Sequence, residues 1–152
     1  MALYLVQHGK NLSRDIDPEQ GLSEEGVAQV TRVAETARHY HVLVGAIAHS
    51  GKKRARQTAE IFSDHLGVKQ IDAVKGLQPL DDVAEKAGSL HTGQNLMLVG
   101  HLPFMERLTA YLTTGSTEYT VFKFQNGGIV CLDALPDSTR WTIKWALMPK
   151  VG

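Results

Sequence analysis

Ala2-Leu3-Tyr4-Leu5-Val6-Gln7-His8-Gly9, at the head of the chain, is an apolar run that breaks off in a histidine and a glycine. Residues 2 to 7 read as a buried strand. The pattern returns twice: Leu96-Met97-Leu98-Val99-Gly100 runs into His101, and Val44-Gly45-Ala46-Ile47-Ala48 runs into His49-Ser50 and a basic helix start. In an open α/β sheet, ligands bind in the crevice beyond the carboxyl ends of the strands, so three polar strand exits predict one shared site. Two histidines facing a cationic helix start predict phosphate chemistry there.

Between the first two strands, Asn11 to Gly21 is rich in Asp, Pro, Ser and Gly and reads as a loop over the strand end. Ser23 caps the helix that follows, with Leu22 and Val27 as a staple, Glu24 and Glu25 on the N-terminal dipole, and Val27, Val30, Val33, Ala34 and Ala37 as the inward stripe. Ala55, Ala59, Phe62 and Leu66 recur at helical spacing over about 52 to 66, and Gly67 stops that helix. Residues 69 to 74 predict a short strand and about 82 to 90 a weaker helix, from which His91-Thr92-Gly93 leads into a strand at 95 to 100. Pro103 suits the first turn of a helix that runs to about Thr114 and ends at Gly115.

The last third changes character. Tyr119 to Phe124 and Ile129 to Ala134 flank Gln125-Asn126-Gly127-Gly128 as the strands of a hairpin would, and Trp141 to Leu147 alternates as one more strand. The expected fold is α/β: a three-layer sandwich with a mostly parallel central sheet, helices on both faces and a C-terminal antiparallel extension. No repeat, low-complexity tract or linker divides the 152 residues, so 1–152 is expected to form a single domain.

Sixteen basic and sixteen acidic side chains cancel, so no global field draws the chain to nucleic acid or anionic lipid; any anion site must be local. The one cysteine, Cys131, sits in an apolar run, which leaves no disulfide framework and no Cys/His metal spacing. Without a basic leader or an apolar stretch near the roughly 20 residues of a membrane span, the cytoplasm is the expected compartment.

The candidate chemistry is concentrated at the strand exits. Gly9 lets the chain turn after His8 and lets a ligand approach the backbone. In Ser50-Gly51-Lys52-Lys53-Arg54-Ala55-Arg56-Gln57-Thr58-Ala59, cations in a first helical turn oppose the dipole, at a cost of a few tenths of a kcal/mol. An anion held by the free N–H groups and by Arg54 removes that conflict. Asp81 and Asp82, at a helix start, are candidates for a general acid, though such residues ordinarily serve as caps. His49 abuts the site as a packed strand-end residue; His39 and His41 point to different faces, and His65 and His91 read as solvent residues.

Gln7-His8-Gly9, then Ser50 with Arg54-Ala55-x-Gln57-Thr58-Ala59, then Val99-Gly100-His101-Leu102-Pro103, in that order, resemble the histidine phosphatase superfamily, with its phosphoglycerate mutase-like fold. Length, His-Leu-Pro and the closing antiparallel strands are similar to its small bacterial phosphohistidine phosphatases of the SixA type. The resemblance implies a metal-independent hydrolase without cofactor, in which His8 accepts the phosphoryl group as a covalent phosphohistidine and Arg54 and His101 hold its oxygens. Gln7, Gly9, Ser50, Lys52 and Lys53 would complete the phosphate site. A neutral imidazole is a good nucleophile near pH 7, and fixed cations offset the charge on the transferring group.

Two departures stand out. The family's first motif is normally Arg-His-Gly, where this chain has Gln7, and Gln20 falls where relatives of the small type carry another arginine. Losing one charge-assisted hydrogen bond, worth roughly 1.5 to 3 kcal/mol, slows a reaction about tenfold to a hundredfold. Lys10, Arg14, Lys52 and Lys53 are the cations that could compensate, the last two foremost. The expected substrate is a phosphohistidine-bearing protein. The alternatives are a phosphomonoesterase for a small metabolite and a degenerate, non-catalytic module that binds phosphate or a phosphoprotein.

Overall fold

The computed structural model describes residues 2–91 and 93–151. Six strands form one sheet in the order β3-β2-β4-β1-β5-β6, where β1 is Ala2–Gln7, β2 Ala46–His49, β3 Ile71–Ala73, β4 Leu96–Gly100, β5 Ile129–Ala134 and β6 Trp141–Leu147. The first four run parallel, and β5 and β6 are antiparallel to their neighbours. Alternate residues of one strand feed opposite faces, and β1 does so along its length. Tyr4 and Val6 join one core with Val30, Val33, Ala59 and Phe62; Leu3 and Leu5 join the other with Val83, Phe104 and Leu108.

The helices α1 (Glu24–His39) and α2 (Lys53–Leu66) therefore cover one face, and α3 (Val83–Gly88) and α4 (Phe104–Thr114) the other. This is the mixed α/β sandwich expected. Ser23 caps α1 by accepting the Gly26 N–H at 3.0 Å. Among the described residues, no helix is long and apolar enough to cross a membrane. Thr92, in the connection to β4, and Met1 and Gly152, the ends of the expected domain, lie outside the described residues.

Three local expectations are corrected. Val27 is 44% exposed; the inward place falls to Gly26, where α1 crosses the backbone so closely that an added Cβ would overlap the Lys10 carbonyl oxygen. Residues 119–124 form no strand. The Phe124 N–H is taken by the Glu106 carboxylate at 3.0 Å and the Gly127 N–H by the Gln7 carbonyl at 2.8 Å, which anchors this segment to α4 and to the end of β1. The second strand starts at Ala46 and includes His49, so Val44 and Gly45 precede it.

Candidate functional site

Because β1 pairs in parallel with β4, and β4 with β2, the carboxyl ends of these three strands lie side by side. Each delivers the polar residue expected of it. His8 leaves β1 with its N–H on the Gly100 carbonyl at 2.9 Å, and His101 leaves β4. Their rings face one another, with centroids 5.0 Å apart and planes tilted by 51°. Ser50, behind β2, puts its Oγ 2.7 Å from His101 Nε2. All three residues are buried.

Burial decides their charge. It is the largest cause lowering the His8 pKa from 6.5 to about 4, helped by the Arg54 charge against the Gly9 hydrogen bond. For His101 burial again leads, followed by the charges of His8, Arg54 and Lys52, and the value is lowered to about 3. Each neutral ring then carries one proton, and the hydrogen bonds say where. His8 Nδ1 lies 2.7 Å from the Gly9 carbonyl, which can only accept, so Nδ1 is protonated and the Nε2 lone pair is free.

At His101 the arrangement is the reverse. The Ser50 hydroxyl oxygen accepts the Lys52 N–H at 3.3 Å and has its own proton to donate to Nε2. Nδ1 of His101 is buried and has no partner among the described residues; with the Ser50 hydroxyl donating to Nε2, the ring proton falls on that Nδ1. A buried donor left without an acceptor costs about 1 to 3 kcal/mol. An oxyanion beside His101 would remove that cost.

Arg54 lies in the first turn of α2, where no side chain caps the helix and no acid meets its dipole. Gly51, at φ +89°, turns the chain from β2 into this helix, in a backbone region that side chains disfavour. The Arg54 guanidinium is half-buried and its pKa is lowered by burial and then by the charge of exposed Arg14 in the 11–21 loop. Thr58, one turn on, donates to the Arg54 carbonyl at 2.8 Å and accepts the Gly9 N–H at 2.9 Å, which stitches α2 to the residue after His8.

Lys52 is exposed at the N-cap position, and its charge is felt at His101. Lys53 is engaged elsewhere. Its Nζ sits 2.8 Å from Asp17 Oδ2 and 3.9 Å from Glu19, and this bond to Lys53 is the largest cause holding the Asp17 carboxyl down at about 2. Lys10 pairs with Glu25 at 3.1 Å. Of the four compensating cations named from the sequence, Arg14 and Lys52 are thus the two whose charges reach the site, at Arg54 and His101 respectively.

Gly9 serves packing: an added Cβ would lie 2.6 Å from Val30 Cγ2 and 3.1 Å from Leu22 Cδ2. The Gln7 carbonyl holds Gly127, while its side-chain Oε1 is buried with no donor among the described residues. Gln20, at φ +52°, closes the loop by giving its N–H to the Asp17 carbonyl at 2.8 Å. Asp82 accepts the N–H groups of Ala84 and Glu85 as the cap of α3, and Asp81 accepts the Gln78 N–H at 2.9 Å. His49 accepts the Gly51 N–H on Nδ1 at 3.1 Å.

Three supporting residues escaped the sequence reading. Thr58 stood inside the quoted motif, four residues after Arg54, a spacing that puts both on one helix face. Asn126, whose Nδ2 donates to the His8 carbonyl at 3.0 Å, was absorbed into a turn signal. Gln78, whose Nε2 donates to the Ser50 carbonyl at 2.8 Å, carried no signal at all.

Fold and site together define an α/β protein that brings two neutral histidines and the charge of an arginine together beyond the strand ends. The chain belongs to the histidine phosphatase superfamily (branch 1), whose family model matches residues 3–81, and members of that superfamily are phosphatases. Its form is the small, SixA-type one. It is similar to the protein histidine phosphatase SixA solved with tungstate, with a TM-score of 0.86 and 24% identity over 98% of this chain and 97% of that one. It is similar as well to an Agrobacterium tumefaciens protein assigned as the phosphohistidine phosphatase SixA (TM-score 0.77, 26% identity, 97% of each chain). A more distant fold relative is an Escherichia coli protein assigned as an alpha-ribazole-5'-P phosphatase (TM-score 0.74, 18% identity, 100% of this chain and 99% of that one). Among curated proteins none matches.

Proposed function

We propose that this phosphatase removes the phosphoryl group from phosphohistidine carried by a protein, through a covalent intermediate on His8 Nε2. The observation that carries the reading is the facing pair of neutral rings. One offers a bare lone pair at Nε2; the other, 5.0 Å away between centroids, holds a buried Nδ1 with nothing to bond, which is an N–H once Ser50 donates to Nε2. Nucleophile and oxyanion donor are thereby set before substrate arrives, and little reorganisation is left for the reaction itself.

In the first step the His8 Nε2–P bond forms as the substrate's N–P bond breaks. Arg54 and His101 Nδ1–H hold the phosphoryl oxygens, Ser50 fixes the tautomer of His101, and Lys52, Arg14 and the open N-terminus of α2 supply further positive potential. The departing imidazole, protonated on its other nitrogen, leaves neutral and needs no acid. That suits a site in which Asp81 and Asp82 are both occupied by backbone N–H groups. Water then attacks phosphorus, the P–Nε2 bond breaks, and His8 and inorganic phosphate are released.

The test is incubation of a phosphohistidine-bearing protein with the parent, His8→Ala and Gln7→Arg chains, with acid-labile phosphoenzyme trapped on a gel. The parent should release phosphate undiminished by EDTA, His8→Ala should neither turn over nor label, and Gln7→Arg should gain about tenfold from one restored charge-assisted contact. Parent and His8→Ala chains of equal activity would sink the reading. Binding of vanadate without labelling or turnover would point instead to a non-catalytic module. The similarity to proteins assigned to small metabolites supports one competitor, a phosphomonoesterase, for which p-nitrophenyl phosphate should be turned over faster than phosphohistidine.

A further inference from the structure

The two flanks of the histidine pair differ in sign. Past β2, toward the β3 edge, a cavity of about 550 Å³ is lined by Asp81, Asp82 and Glu85 alongside Lys75 and Lys86. Past β1, toward β5 and β6, a cavity of about 510 Å³ is lined by Lys10, Lys123 and Lys150, and no carboxylate is in its wall. The lysine cavity adjoins the backbone of His8: Lys10 stands two residues beyond it, and Asn126, another lining residue, is the one that holds the His8 carbonyl.

This wall is built and held. Gln125 clamps Lys150 from both sides, donating to its carbonyl at 3.0 Å and accepting its N–H at 3.1 Å, and Arg32 donates to the Pro149 carbonyl at 3.0 Å. Lys10 has Glu25 as a partner, but Lys123 and Lys150 are exposed and make no ion pair among the described residues. Ammonium groups gathered round one concavity repel each other, and for Lys123 and Lys150 no carboxylate among the described residues offsets that repulsion. What they complement is a group of negative charges.

We propose that the lysine cavity is an anion subsite that takes carboxylate side chains of the protein substrate, so that an acidic segment beside the phosphohistidine is selected. This rests on the function proposed above and adds to it the chemistry of the flanking sequence. The carboxylates would meet Lys123 and Lys150 while the phosphoryl group lies against His8 and His101. Exposed ion pairs are worth about 0.2 to 1 kcal/mol each, so two of them shift selectivity about two- to thirtyfold, and the effect fades as salt screens it.

Two phosphohistidine peptides, identical save for Glu or Gln at the flanking positions, test it. The parent should favour the Glu peptide in kcat/KM, and the K123A/K150A double variant should lose about two- to thirtyfold of that preference. Equal use of the two peptides by the parent, or an unchanged preference in the variant, overturns the subsite while leaving the proposed function intact. Failure to turn over either peptide counts against the function instead. In that event NMR titration with an unphosphorylated Glu-rich peptide decides: shifts at 123–126 and 149–150 that vanish in the double variant uphold the subsite, and their absence overturns it.

Discussion

His8 and His101 enter the fold uncharged, and acid should expose the cost. Burial leaves them near 4 and 3 when folded, against about 6.5 when unfolded, so the folded chain binds fewer protons in between. Their contribution is whole above pH 6.5 and is lost as pH falls from there toward 4, because the unfolded chain alone takes up protons. Denaturant titrations at pH 7 and pH 5 should show it, with His8 accounting for at most about 3 kcal/mol over the full interval. His101→Asn should flatten the dependence. Turnover should keep its plateau down to mildly acid pH, with its acid limb near 4; a limb at 6.5 would show that the Nε2 lone pair is not preset.

At the scale of elements, α1 depends on a residue that is not there. At Gly26 a Cβ would overlap the Lys10 carbonyl, so Gly26→Ala must push the helix off the segment that follows His8. It should cost about 1 to 3 kcal/mol, read as a drop in Tm. Gly88, at the end of α3, has nothing within 4 Å of an added Cβ, and Gly88→Ala should be neutral or stabilising by up to about 1 kcal/mol. The contrast shows what was legible in the sequence. Strand ends at His8 and His101 could be read because burial and polarity alternate sharply there, whereas Val27 was misassigned because Gly26, with no side chain, hid the tight crossing. Residues 119–124 have strand composition, but the Phe124 N–H goes to Glu106 and, just beyond, the Gly127 N–H goes to the end of β1, partners that local pattern does not disclose.

Across the whole molecule, the order of βα units and the late antiparallel strands were readable, since each needs only local periodicity. The supports contributed by Asn126 and Gln78 were not, because each joins residues that only the finished topology brings together. Cys131 offers a probe at this scale. It lies in β5 between β1 and β6, buried, with its thiol pushed up to about 11 by burial and by Asp133. A thiol reagent should label it only as fast as the whole sheet opens, so labelling rates across a denaturant series should follow global unfolding. Fast labelling in native buffer would mean that β5 opens on its own.

The order β3-β2-β4-β1-β5-β6 leaves β6 with one unpaired side. A second copy docking along that seven-residue rim would gain hydrogen bonds but would have to bury Lys144, whose ammonium sits on the exposed strand 3.5 Å from Asp133, and it would run into Pro149 just beyond. Charge and proline at an open rim discourage stacking of chains into fibres. Concentrated solutions of the protein are therefore expected to stay clear, and K144V is the change that should first make them cloud.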